Sequence, residues 1–226
     1  MPIRHGNIKT PEKRGVFWGN AFAYFSIAKG TLLFNTTILE KAWVYRMPLW
    51  IAIPFLLFSV PLIFAIVIQY RNKNKHSAKS ILNAYVLYTI VLLVIWIFDL
   101  RVPPFIVLLA MLAVFINCFF GFHLAWFNRS KVFDRYLHAF TSFSMALLTY
   151  CLIENSFVSG GSNAFRALFV FTIGMTLGAV FELLEAAHDV KSDIKDQKGL
   201  KDTNMDLLAD FIGSLLAGVS AYLFLF

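Results

Sequence analysis

The chain has 226 residues, 59% of them hydrophobic, 17% aromatic and only 15% charged, with a mean hydropathy of +0.69. Soluble domains are about half apolar and about a quarter charged, so this composition excludes an ordinary soluble domain and indicates a polytopic membrane protein. The formal net charge of +7 does not argue for nucleic acid, because the basic residues fall in short loops between apolar runs, the pattern that orients membrane helices.

Residues 1–48 form a basic N-terminal segment whose first residues, MPIRHGNIKTPEKRG, lack the apolar core of a cleaved signal peptide. Within it Val16–Leu39 is aromatic-rich but holds Asn20, Lys29, Gly30 and Asn35. It reads either as an interfacial element or as a seventh membrane span. Six apolar runs of about 20 residues, long enough to cross a bilayer, then follow: Leu49–Gln69, Ser80–Phe98, Pro103–Phe127, Arg135–Phe157, Phe165–Ala187 and Met205–Phe226. The first contains Pro54 and Pro61, which membrane helices tolerate. Cys118 and Cys151 lie inside apolar runs and read as small packing residues. Gly174 and Gly178 form a GxxxG pattern, a close helix-packing face. The expected fold is therefore an all-α membrane bundle over residues 49–226.

Loop charges orient it. Arg71, Lys73, Lys75 and Lys79 follow the first run, Arg129, Lys131 and Arg135 precede the fourth, and Lys191, Lys195, Lys198 and Lys201 precede the sixth. The positive-inside bias places these three loops in the cytoplasm of an inner or plasma membrane.

The acidic residues then pose a question, since a lone carboxylate within a bilayer costs a few kcal/mol. At 1.5 Å rise per residue, a helix opening near Thr203 puts Asp206 and Asp210 about 5 and 10 Å inside the membrane from the basic end. Glu182 and Glu185, near the exit of the antiparallel fifth helix, reach the same two depths. Asp134 and His138 enter from that end on the fourth helix, His123 leaves by it on the third, and Asn83 and Gln69 add further polar groups at this level. Asp134/His138 and Asp206/Asp210 are i, i+4 pairs and Glu182/Glu185 is i, i+3, so each pair shares a helix face. Inward-facing carboxylates and imidazoles on three helices are how helical bundles build metal centres. Such a donor set suits Mg²⁺ or Mn²⁺, and with imidazole Zn²⁺ or Fe²⁺.

Plainer readings compete. Thr203-Asn-Met-Asp206 has the form of a capping box, and Asp134 reads as an N-cap. His138 taken alone reads as a satisfied interior histidine, and Glu154 as an interfacial residue. Asp210, Glu182 and Glu185 lie below the reach of capping, with no equally deep Arg or Lys to pair them.

The stretches FDRYLHAF, FELLEA and GLKDTNMDLLADFIGS, in this order, resemble the YjdF-like inner-membrane proteins, with a looser similarity to VanZ-like proteins. The likeness covers about residues 133–218, and it picks out Asp134, Arg135, His138, Glu182, Glu185, Asp202, Thr203, Asp206 and Asp210. Ala186 and Asn204 depart from it, at positions where an aromatic and a Gln are usual. The resemblance implies a site and a fold but names no reaction.

The leading expectation is a divalent-metal-dependent enzyme acting on a lipid phosphate or pyrophosphate head group. Glu182, Glu185, Asp206, Asp210 and His138 would be metal ligands, with His138, Asp134 and Arg135 in catalytic roles. A transporter of metal ions or proton-coupled solutes is the alternative, and an accessory membrane subunit is a third. The partners expected are the lipid bilayer and a lipid-phosphate substrate, with a homo-oligomer left open. No Gly-rich phosphate loop, Ser-His-Asp spacing or zinc-type Cys spacing occurs.

Overall fold

An apolar run with no water around it has to satisfy its backbone internally, and a helix does so within one segment. The computed structural model describes residues 49–157, 161–191, 197 and 199–226, all within the unit Met47–Phe226. Val16–Leu39 lies outside the described residues. Among the described residues six elements are long and apolar enough to cross a membrane, one for each of the six apolar runs: α1 (Leu49–Arg71), α2 (Lys75–Ile97), α3 (Pro104–Phe115) with a π-helical continuation (Ile116–His123), α5 (Lys131–Phe157), α6 (Asn163–Lys191) and α7 (Leu200–Phe224). A short helix, α4 (Trp126–Arg129), joins the third span to α5. Large apolar side chains such as Leu56, Leu57, Val60, Ile97 and Leu183 stand exposed, as the lipid-facing surface of a membrane bundle requires.

Among the helix boundaries that differ from the sequence reading, three bear on the acidic residues and their surroundings. The third span does not run to Phe127: it ends at His123, and Ala125 (φ 56°, ψ 36°) turns the chain into α4. Asp134 is not the N-cap of α5. Ser130 takes that place, extended and with its Oγ accepting the Phe133 N–H at 3.2 Å. Thr203 is not a cap either. α7 opens a turn earlier, after Gly199 at φ 104°, whose carbonyl accepts the Asp202 N–H at 2.9 Å. Asp206 is therefore the seventh residue of its helix and Asp210 the eleventh, about 9 and 15 Å along the axis from Leu200.

The helices α5, α6 and α7 pack most tightly, and glycines set the spacing. A Cβ on Gly213 would fall on the Ala139 carbonyl of α5, so those two backbones touch. The GxxxG pair is a packing face as expected: Gly174 lies against Ser214 and Ala146, and Gly178 against Asp210. Toward the far end the interior is apolar, with Ala146, Leu147, Tyr150, Val170, Ala217 and Ala221 buried together. A clasp closes that end. Arg166 pairs with Glu154, donates from Nε to the Tyr150 hydroxyl at 2.8 Å, and lies 4.1 Å over the Phe226 ring. Glu154 is thus an ion-pair partner rather than a solitary interfacial acid.

Candidate acidic–histidine site

The site forms where α5, α6 and α7 meet at the end bearing the basic loops. Asp134, His138 and Ser142 lie at successive i, i+4 steps on α5 and so share one face. His138 Nδ1 is 3.2 Å from Asp210 Oδ2 and 3.3 Å from Oδ1, and the Ser142 hydroxyl donates to Asp210 Oδ1 at 2.5 Å. Asp210 is only 1% exposed. A carboxylate there accepts from both, so Nδ1 carries a proton and Nε2 is the nitrogen turned toward the remaining acids. Nε2 faces outward to Glu182 Oε1 and Asp134 Oδ1, each at 3.9 Å.

Glu182 is held from the loop side. Gln197 Nε2 donates to its Oε2 at 3.2 Å and to its backbone carbonyl at 3.1 Å, while the Gln197 N–H donates to Asp189 at 3.1 Å. The other oxygen, Glu182 Oε1, is buried without a hydrogen-bond partner, and so is Asp206 Oδ1. Both residues are 5% exposed. Buried polar atoms are nearly always satisfied, and each exception calls for a cause, a ligand-binding role among them. His138, Glu182 and Asp206 each offer one ligand atom, all within 4.8 Å of one another, and so do Asp134, Asp202 and Asp206.

The structure separates what the sequence grouped. Asp210 belongs to neither triad and grips His138 from behind, and Glu185, half-buried one turn from Glu182, also stands outside both. Of the five residues expected to ligate, His138, Glu182 and Asp206 fall in one set, while Asp210 lies beside His138 and Glu185 outside it. Arg135 is half-buried, its Nε without a hydrogen-bond partner. Of the remaining polar layer, His123 belongs with Gln69, whose Nε2 donates to the His123 carbonyl at 3.0 Å. Asn83 is exposed on α2 and does not join the layer. Ser142 and Gln197 were missed in the sequence. Ser142 had a usable signal, its i+4 spacing from His138, whereas Gln197 sits in a loop with no periodicity.

Six apolar spans around a buried acidic and imidazole cluster define an integral membrane protein of the all-helical class. The chain belongs to the DUF2238 family, described as predicted membrane proteins, which it matches over residues 51–225. It is also similar to an uncharacterised protein of Thermotoga maritima, 28% identical over 102 residues, 45% of this chain and 53% of the relative. The chain thus spans about half the length of that curated relative. No solved structure matches it.

Proposed function

We propose that the protein is a membrane-embedded enzyme in which His138, Glu182 and Asp206 hold a divalent cation, Mg²⁺, Mn²⁺ or Zn²⁺, and act on a phosphate or pyrophosphate lipid head group. The observation that carries this reading is that Glu182 and Asp206, each with one buried carboxylate oxygen that has no hydrogen bond, bring a ligand atom within 4.8 Å of His138 and of each other. Carboxylates this close repel one another unless positive charge lies near them, and a cation held by Glu182, Asp206 and His138 would supply it. His138, Glu182 and Asp206 would hold a divalent cation there, which would supply charge to offset phosphate oxygens and to ease deprotonation of water. Asp210 fixes the tautomer of His138, as outer carboxylates commonly do for ligating histidines. Asp134 is the nearest further carboxylate and serves as general base. Arg135, with a donor to spare, takes the phosphate.

Two further features support a lipid substrate. An open apolar groove of about 480 Å³, lined by Trp126, Arg129, Ser130, Val132, Phe133 and Tyr136, lies on the same turns of α5 that carry Asp134 and Arg135. It offers an acyl or isoprenoid chain a berth beside the first turns of α5, on the side away from Asp134 and His138. The basic loops favour a cytoplasmic opening. The likeness of FDRYLHAF and FELLEA to YjdF-like and VanZ-like proteins agrees with this choice of residues. Transport is the weaker reading: among the described residues, the core of α5, α6 and α7 beyond Asp210 holds Ser144 and Ser214 amid Ala146, Leu147, Tyr150 and Val170, but no further buried carboxylate or imidazole.

The test is metal content and phosphate release. Purified full-length protein should retain a divalent cation, lose thermal stability on chelation and regain it on readdition. It should release phosphate from a panel of lipid phosphates and pyrophosphates in mixed micelles. Glu182→Gln should abolish both responses. A wild-type protein that neither binds nor responds to any divalent cation overturns the reading.

A further inference from the structure

Asp206 is common to two ligand sets. It completes His138 and Glu182 on the inner side and Asp134 and Asp202 on the outer side, and within each set the ligand atoms lie within 4.8 Å of one another. A cluster of acids alone would not make a site, since surface acids often gather without a ligand. Here the shared member is 95% buried, being 5% exposed, and its Oδ1 has no hydrogen-bond partner. The two sets are also stacked along the bundle. Asp134 and His138 are one turn apart on α5, Asp202 and Asp206 one turn apart on α7, so two rungs face each other across the α5–α7 contact that Gly213 brings together. Asp134 and Asp202 form the outer rung and are only partly buried, while His138 and Asp206 form the inner one.

We propose that Asp134, Asp202 and Asp206 hold a second divalent cation, with the Asp206 carboxylate bridging the two positions. The proposal rests on the preceding reading of the inner position and deepens it. A shared carboxylate between two cation positions is the arrangement of two-metal hydrolytic centres, where the ions stand roughly 3.5–4 Å apart and clamp both the entering and leaving oxygens of a phosphoryl group. It narrows the substrate class to phosphate esters and anhydrides, whose charge two cations offset. It also makes Asp134 a ligand rather than a general base. The outer set is all oxygen and selects Mg²⁺ or Mn²⁺, whereas the inner imidazole also admits Zn²⁺.

The experiment uses full-length protein in detergent micelles, stripped with chelator and titrated with Mn²⁺, read by calorimetric stoichiometry and electron paramagnetic resonance. Wild type should take up two equivalents, and the second should replace the spectrum of isolated Mn²⁺ with that of a spin-coupled pair. Asp202→Asn should bind one equivalent, uncoupled, with the inner affinity largely retained. Asp134→Asn should behave in the same way, which guards against one variant simply failing to fold. One uncoupled equivalent in the wild type, unchanged by either substitution, overturns the second position and leaves the inner one standing. No Mn²⁺ bound at all overturns both.

Discussion

Asp210 holds His138 by its inner nitrogen, with Nδ1 3.2 Å from Oδ2, so the imidazole presents Nε2 toward Glu182 and Asp134. An acid that fixes a ligand differs from an acid that is one, and the difference can be measured. Asp210→Asn keeps the shape but lets the amide donate where the carboxylate accepted, which favours the wrong tautomer. Loss of such an outer partner costs roughly 10–100-fold in metal affinity. Chelator competition should therefore register a loss of that size for the inner cation. Asp202→Asn should alter inner affinity far less, because Asp202 is absent from the inner triad. Equal losses in the two variants would refute the division of roles.

Ser142→Ala removes the 2.5 Å hydrogen bond to Asp210 Oδ1. Side-chain hydrogen bonds between membrane helices are worth about 0.6 kcal/mol on average and up to about 1.7. This one serves a nearly inaccessible carboxylate and should fall at the upper end. Reversible unfolding in mixed detergent should register it, and Ser142→Thr should recover most of the loss.

Gly213→Ala places a methyl on the Ala139 carbonyl, and backbone cannot rotate aside as a side chain would. The α5–α7 distance must grow, stretching the His138–Asp210 contact. Overpacking of this kind costs about 1–3 kcal/mol, and cation affinity should fall along with the melting temperature. Alanine at Gly178 presses on the Asp210 carboxylate instead, so affinity should fall further than stability.

At the opposite end, Arg166→Gln dissolves the clasp with Glu154, Tyr150 and Phe226. The ion pair is part-exposed and by itself worth about 0–1 kcal/mol, to which the lost ring and hydroxyl contacts add. Stability should drop by on the order of 1–2 kcal/mol with cation affinity unchanged, since distant sites are nearly additive. A change in affinity would reveal coupling through the apolar core.

The sequence makes the spans legible because lipid imposes a single demand, about 20 apolar residues, and it makes Asp134, His138, Glu182 and Asp206 legible because helical spacing fixes which residues share a face. It hides the rotation of one helix against another. Asp206 and Asp210 look equivalent at i, i+4, yet contact with Gly178 and Ser142 turns Asp210 inward as a brace while Asp206 meets Glu182. The opening of α7 was also hidden. Thr203-Asn-Met-Asp206 is a sound local cap, but Gly199 provides a start one turn earlier. The π-helical segment had no local mark, and His123 was drawn away by Gln69, a contact between residues 54 apart in the chain.

The placement of Asp206 and Asp210 on α7, with their companions on α5 and α6, bears on how the protein is made. An aspartate at the middle of a lone inserting helix costs about 2.5–3.5 kcal/mol on insertion scales, and α7 carries two of them below its first turn. Helices α5 and α6 precede α7 in synthesis, and they already carry His138, Ser142 and the small-residue face of Gly174 and Gly178. They can receive α7 as it enters, so that its acids pass from the translocation channel to protein partners without meeting lipid. The groups that compose the candidate site would then also act as a docking template during biogenesis, and damage to His138 would surface first as misinserted chain.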